Sequence, residues 1–172
     1  DPPLQALLLG PGDPPPFTLF NPDGQAPLVL VCDHASNAIP ATLGQLGLGP
    51  EELSQHIAWD IGAAWVTRLL AARLDAPAVL GGYSRLVIDC NRSPGDPTSI
   101  AEISDGIVIP GNQAVDDAQA DRRLNEVFWP YHHAITQALA HRWRHGHGRA
   151  PALIAIHSFT PMLNGFRRPW QL

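Results

Sequence analysis

His34, Asp60 and His157 are the residues of this sequence whose types best suit chemistry. Two imidazoles and one carboxylate make a ligand set for a hydrolytic Zn²⁺, with one position left for water. Zinc held in this way lowers the pKa of its bound water to about 7, which gives a nucleophile at neutral pH. Spacing alone leaves a second reading open: strand-end histidines that are hydrogen-bonded structural residues, and Asp60 as a plain helix cap. Asp33 and Asn37 compete with Asp60 as third ligand, because both lie close to His34 in the chain. Six further histidines occur. His141, His145 and His147 resemble a metal tract by composition, but their polar, Arg-rich surroundings read as a solvent-exposed turn.

The elements that must position these residues follow from hydrophobic pattern. Residues 1–26 are Pro-rich and non-periodic and read as a surface arm, ordered in part by Phe17 and Phe20. Residues 27–172 read as one domain. Leu28-Val29-Leu30-Val31-Cys32 is a continuous apolar run, as expected of a strand covered on both faces. Ala78-Val79-Leu80, Leu86-Val87-Ile88 and Leu153-Ile154-Ala155-Ile156 read as further strands. Pro50-Glu51-Glu52 marks a helix start. Asp60 is expected to cap a second helix whose apolar stripe is Ile61, Trp65 and Leu69, flanked by Val66, Leu70 and Leu74. A long helical pattern runs from Asp116 to about Arg144, interrupted at Pro130 by a kink or a break. Strands alternating with helices predict an α/β three-layer sandwich with a mostly parallel or mixed sheet. In such sheets ligands bind outside the carboxyl ends of the strands, where His34, Asp89 and His157 are expected.

Composition excludes several classes. The net charge is −5 and no basic stripe is present, so nucleic acid is not an expected partner. All 11 basic residues are Arg, so no Lys serves as base or Schiff-base nucleophile. Two cysteines, Cys32 and Cys90, are too few for a disulfide scaffold and read as buried thiols. No apolar run is long enough to cross a membrane and no signal-peptide pattern opens the chain, so a cytoplasmic protein, monomeric or homodimeric, is expected. A serine hydrolase is disfavoured, because Ser158 beside His157 cannot form the usual pair and no G-x-S-x-G elbow occurs.

Four segments, in order, are similar to the N-formylglutamate amidohydrolase family. They are Asp33-His34-Ala35-Ser36-Asn37-Ala38-Ile39-Pro40, His56 to Ala63, Tyr83-Ser84-Arg85-Leu86-Val87-Ile88-Asp89-Cys90-Asn91-Arg92, and Ile156-His157-Ser158-Phe159-Thr160-Pro161. The chain resembles most the branch of predicted members. The resemblance implies a phosphorylase/hydrolase-like fold, one zinc per chain, and His34, Asp60 and His157 as its ligands. It implies a small carboxylate-bearing amide as substrate, N-formyl-L-glutamate or a similar N-acyl amino acid, with formate and an amino acid as products in the first case.

Arg85, Asn91 and Arg92 match the family's R-x-x-x-D-x-N-R stretch, and bidentate Arg suits a substrate carboxylate. Arg85 is expected to act in catalysis as well, and Ser158 to contact substrate. His132 falls where the family tends to have Tyr-His and is expected to line the site; the structural counterpart is a helix histidine facing a strand. No general base stands out, and Glu102 is a candidate by type only. Family members usually run well beyond the His157 segment, so a C-terminal portion is expected to be lacking. Two alternatives carry the same fold: a metal amidase acting on peptidoglycan-type or other acyl amides, and a non-catalytic anion-binding module.

Overall fold

The structure, a computed structural model, describes residues 7–146, 149–163 and 165–169. The Pro-rich stretch is more than a surface arm. It contributes strand β1 (Phe17–Phe20), and Leu8 is buried in the core. Strand β2 (Leu28–Cys32) forms as expected. Then come a short 3-10 segment over Ala41–Gly47, helix α1 (Pro50–Leu53) and helix α2 (Ala63–Leu74). Strand β3 (Ala78–Gly81) is followed by a small hairpin, β4 (Ile103–Ser104) and β5 (Ile107–Val108). Helices α3 (Asp117–Arg123) and α4 (Trp129–His145) precede β6 (Ala152–Ala155). A last hairpin pairs β7 (Met162–Leu163) with β8 (Phe166–Arg167).

The main sheet has the order β1-β3-β2-β6, with β3, β2 and β6 parallel and β1 antiparallel at one edge. Alternate residues of β2 face opposite layers. Val29 and Val31 pack with Val127, Phe128, Tyr131 and Ala134 below α4, while Leu30 and Cys32 pack with Ala63, Ala64 and Ala71 of α2. Helices thus cover both faces, a three-layer α/β fold. Burying each large side chain of this core contributes about 1.5–3 kcal/mol, which makes β2 the best-anchored strand.

Three expectations are corrected. Leu86-Val87-Ile88 is fully buried but forms a turn rather than a strand, with the Val87 N–H bonded to the Ser84 carbonyl. Asp60 does not cap α2, whose N-cap is Gly62 in the left-handed region (φ 83°). Most of the stripe expected to face the core faces out instead: Trp65 is 67% exposed and Ile61, Val66 and Leu74 are exposed too, while Leu69 is half-buried and Leu70 packs against the core. The buried face of α2 is Ala63, Ala64, Thr67 and Ala71, whose small side chains let the helix lie close to the sheet. Helical period finds a stripe, but not which stripe a sheet with its own bulky residues accepts. β6 likewise forms at its expected place but is exposed along its length, at the sheet edge opposite β1.

The interruption at Pro130 is a π-helical turn over Leu124–Phe128. Proline offers no N–H to the carbonyl four residues back, and the Trp129 N–H bonds to the Leu124 carbonyl, so the ladder widens and the helix continues. α4 runs on through His141 and His145, so these are helical rather than in a turn; His147 lies outside the described residues.

Candidate metal centre

His34 leaves the carboxyl end of β2 and His157 that of β6, so parallel pairing of the two strands brings both imidazoles to one edge. Asp60 arrives from the loop before α2. Its N–H donates to the His34 carbonyl (3.0 Å), and the Ala63 N–H donates to the Asp60 backbone carbonyl (3.1 Å). That loop is held from the far side, where Ser84 Oγ and the Arg85 N–H both donate to the Ala58 carbonyl. Gly62 makes the entry to α2 possible. A Cβ there would meet nothing within 4 Å, so its positive φ, rather than space, selects glycine.

One ligand atom from each of His34, Asp60 and His157 lies within 4.8 Å of the other two. Asp60 Oδ2 is 2.8 Å from His157 Nδ1 and 3.4 Å from His34 Nδ1. The other nitrogens face carboxylates: His34 Nε2 lies 2.7 Å from Asp89 Oδ1, and His157 Nε2 lies 3.2 Å from Asp33 Oδ2. Asp33, the competing ligand, is not one of the three grouped residues; its Oδ1 accepts from the Tyr131 hydroxyl (2.8 Å).

The protons follow from these partners. A carboxylate only accepts, so His34 Nε2 carries the hydrogen donated to Asp89. His34 Nδ1 is buried with no hydrogen-bond partner, its lone pair directed toward the anionic Asp60 oxygen. Two facing lone pairs in a buried site repel unless a proton or a cation lies between them. The donor set, two imidazoles and a carboxylate, fits a zinc-type cation there.

Without a metal, protons do this work. Burial opposes charge on His34, but the carboxylates of Asp60 and Asp89 beside its two nitrogens outweigh it and raise its pKa. Hydrogen bonds to Asp33 and then Asp60 push His157 up to about 9. Burial would raise the three carboxylates, yet hydrogen bonds to the histidines win, holding Asp33 and Asp89 below the usual range and Asp60 well below it.

Arg85 joins the cluster. Its Nη2 donates to Asp89 Oδ2 (3.0 Å) and its Nη1 lies 3.8 Å from Asp60 Oδ1, with the side chain partly exposed at the mouth. Arg92 is half exposed, its Nε 3.8 Å from Asp89 Oδ2. Asn91 donates its backbone N–H to Asp89, and its side chain is exposed. Ser158 is half-buried next to His157. His132 is not in the cluster: its Nε2 bonds to the Cys90 carbonyl (2.9 Å) and its ring lies against Phe128, so it props the loop that carries Asp89. Glu102 is exposed beside the β4–β5 hairpin. Sequence reasoning assigned no role to Tyr131 or to Arg123, both of which are buried. An apolar groove between β1, β3 and α4 shares no residue with the cluster.

Fold and site together define an α/β protein with a candidate three-ligand metal centre at the carboxyl ends of its parallel strands. The model of the N-formylglutamate amidohydrolase family matches residues 26–170, and the chain belongs to that family. Gene product Atu2144 from Agrobacterium tumefaciens has a similar crystal structure, with TM-score 0.88 and 37% identity over 94% of this chain. N-formylglutamate amidohydrolase from Ralstonia eutropha JMP134 is similar over 84% of this chain, with TM-score 0.57 and 26% identity. This chain spans 63% and 57% of those two proteins. No curated protein matches it.

Proposed function

We propose that the chain is a zinc-dependent hydrolase that cleaves a linear amide bearing a carboxylate, N-formyl-L-glutamate or a similar N-acyl amino acid. The observation that carries this reading is the buried, unpartnered His34 Nδ1 facing Asp60, with His157 completing the set. Family membership supports the amide substrate. Bound zinc supplies Lewis-acid polarisation of the scissile carbonyl and activation of water. Asp60 holds the two imidazoles in one orientation, and Asp89 holds His34 from behind. Arg85, tethered by Asp89, keeps guanidinium N–H groups at the mouth for a substrate carboxylate, with Arg92 beside it. Asn91 and Ser158 lie at the rim. Among the described residues no hydrogen bond or ion pair links His132 or Glu102 to the cluster, so protonation of the leaving amine is not assigned to either.

The test is zinc content of the purified protein together with formate release from N-formyl-L-glutamate and turnover of a panel of N-acyl amino acids and peptidoglycan-type amides. Turnover of the last group alone selects the alternative substrate. Zinc-free protein that gains no stability from added zinc rejects the metal. Arg92→Gln, which removes the more exposed cation, is expected to raise KM roughly 10- to 100-fold with kcat nearly kept, as for loss of a hydrogen bond to a charged group.

Zinc uptake is expected to depend on pH. The His157 nitrogen facing Asp60 must lose its proton before it can ligate. With the metal-free pKa raised to about 9, uptake below that pH expels a proton from His157. The apparent Kd is therefore expected to fall by at least about tenfold per pH unit between neutrality and pH 9, more steeply where His34, whose pKa is raised too, must also shed its Nδ1 proton. Calorimetric titration in buffers of different ionisation enthalpy counts the released protons, and a flat Kd across that window would reject the assignment.

A further inference from the structure

Asp33 and Tyr131 form a buried pair to which the metal reading gives no role. Asp33 follows β2, and the end of β3 lies so close that a Cβ on Gly81 would come within 2.5 Å of the Asp33 carbonyl oxygen. That contact fixes the Asp33 backbone. Its side chain is then engaged at both oxygens, Oδ1 by the Tyr131 hydroxyl and Oδ2 by His157 Nε2. The Tyr131 side chain is fully buried on α4, and Asp33 is its hydroxyl's hydrogen-bond partner among the described residues. The arrangement mirrors the other side of the cluster, where Asp89 faces His34 Nε2.

We propose that Asp33, oriented by Tyr131, is the positioning residue that keeps a proton on His157 Nε2 and so presents the Nδ1 lone pair to the metal. The inference rests on the zinc reading above. Its physical basis is that a carboxylate accepts and cannot donate, so the nitrogen facing it must carry the hydrogen. An amide at position 33 has one accepting and one donating end. The Tyr131 hydroxyl claims the accepting end, which turns the NH₂ toward His157 Nε2. Nε2 must then be bare, the proton moves to Nδ1, and Nδ1 can no longer ligate. Removing the hydroxyl frees the amide to turn over and offer its oxygen to His157.

The experiment is zinc and cobalt affinity, by competition with a chromophoric chelator at fixed pH, for four forms of the chain: wild type, Asp33→Asn, Tyr131→Phe and the double variant. Metal-free melting checks that each folds. Asp33→Asn is expected to weaken zinc binding about 10- to 100-fold. Tyr131→Phe is expected to weaken it less. The double variant is expected to bind more tightly than Asp33→Asn, a rescue that a merely structural role would not produce. Nitrogen NMR of the zinc-loaded wild type needs no variant and is expected to show His157 protonated at Nε2. Wild-type affinity in Asp33→Asn, a double variant no tighter than the single, or zinc on His157 Nε2 would each overturn the inference while leaving the zinc site standing. A wild type that binds no zinc removes both.

Discussion

Asp60→Ala is expected to lose zinc and, with it, amide hydrolysis. Asp60 bridges the two imidazoles, its Oδ2 facing both Nδ1 atoms. A protein zinc site of this kind is worth about 10–16 kcal/mol, so one ligand of three accounts for roughly 3–5 kcal/mol, or two to four decades in Kd. The expected effect exceeds that of removing a rim residue such as Asn91, and it has a structural component. Without Asp60, the buried His34 Nδ1 faces no carboxylate, and His157 keeps Asp33 alone. His34→Ala is expected to match it in zinc loss, because His34 is the ligand anchored directly at the end of β2. Zinc per chain by mass spectrometry, beside formate release, measures both effects. A variant of Asp60 that retains zinc at wild-type affinity would leave Asp33 or Asp89 as the third ligand.

Much of the centre was legible because strand ends are. The runs Leu28–Cys32 and Leu153–Ile156 announced strands by apolar continuity, and a polar pair after each placed His34 and His157 where an α/β sheet gathers ligands. Asp60 was found for a different reason from the one that places it. Its position before α2 suggested a cap, yet Gly62 caps the helix and Asp60 turns back to His34. Long-range pairings of this kind leave no local period. The same holds for Leu86–Ile88, whose burial matches a strand but whose hydrogen bonds close a turn. The α2 stripe misled because amphipathicity tells that a helix has two faces, while the fit between Ala-rich and Leu-rich layers decides which one is buried. Trp65 on α2 and Leu153 and Ile154 on the edge strand β6 are exposed, where the pattern had read apolar positions as core. His132 shows the limit of resemblance: its position matched, but its nitrogen is committed to the Cys90 carbonyl.

Arg123 carries the second large expectation, since Arg123→Ala should destabilise the chain by about 2–4 kcal/mol. The side chain is 1% exposed, and its guanidinium donates to the Val87 carbonyl (2.9 Å), the Asn112 side-chain oxygen (2.7 Å) and the Gly111 carbonyl (3.4 Å). Asn112 in turn donates to the carbonyls of Leu86 and Ala101. One cation therefore joins α3 to the 86–88 turn and to the 110–112 segment through oxygens that burial would otherwise leave without donors. Burial acts against the charge, lowering the Arg123 pKa to about 10, so the bonds must outweigh a desolvation cost. For a chain of this length the loss corresponds to a fall in melting temperature of roughly 4–16 °C. Arg123→Met separates the causes, because it keeps most of the volume and removes the donors. If packing dominates, Met melts near the wild type; if the donors dominate, Met falls nearly as far as Ala. The turn that Arg123 holds leads directly into Asp89, the partner of His34 Nε2. Loss of the donors is therefore expected to weaken zinc binding as well, linking a buried cation on α3 to the orientation of a ligand at the end of β2.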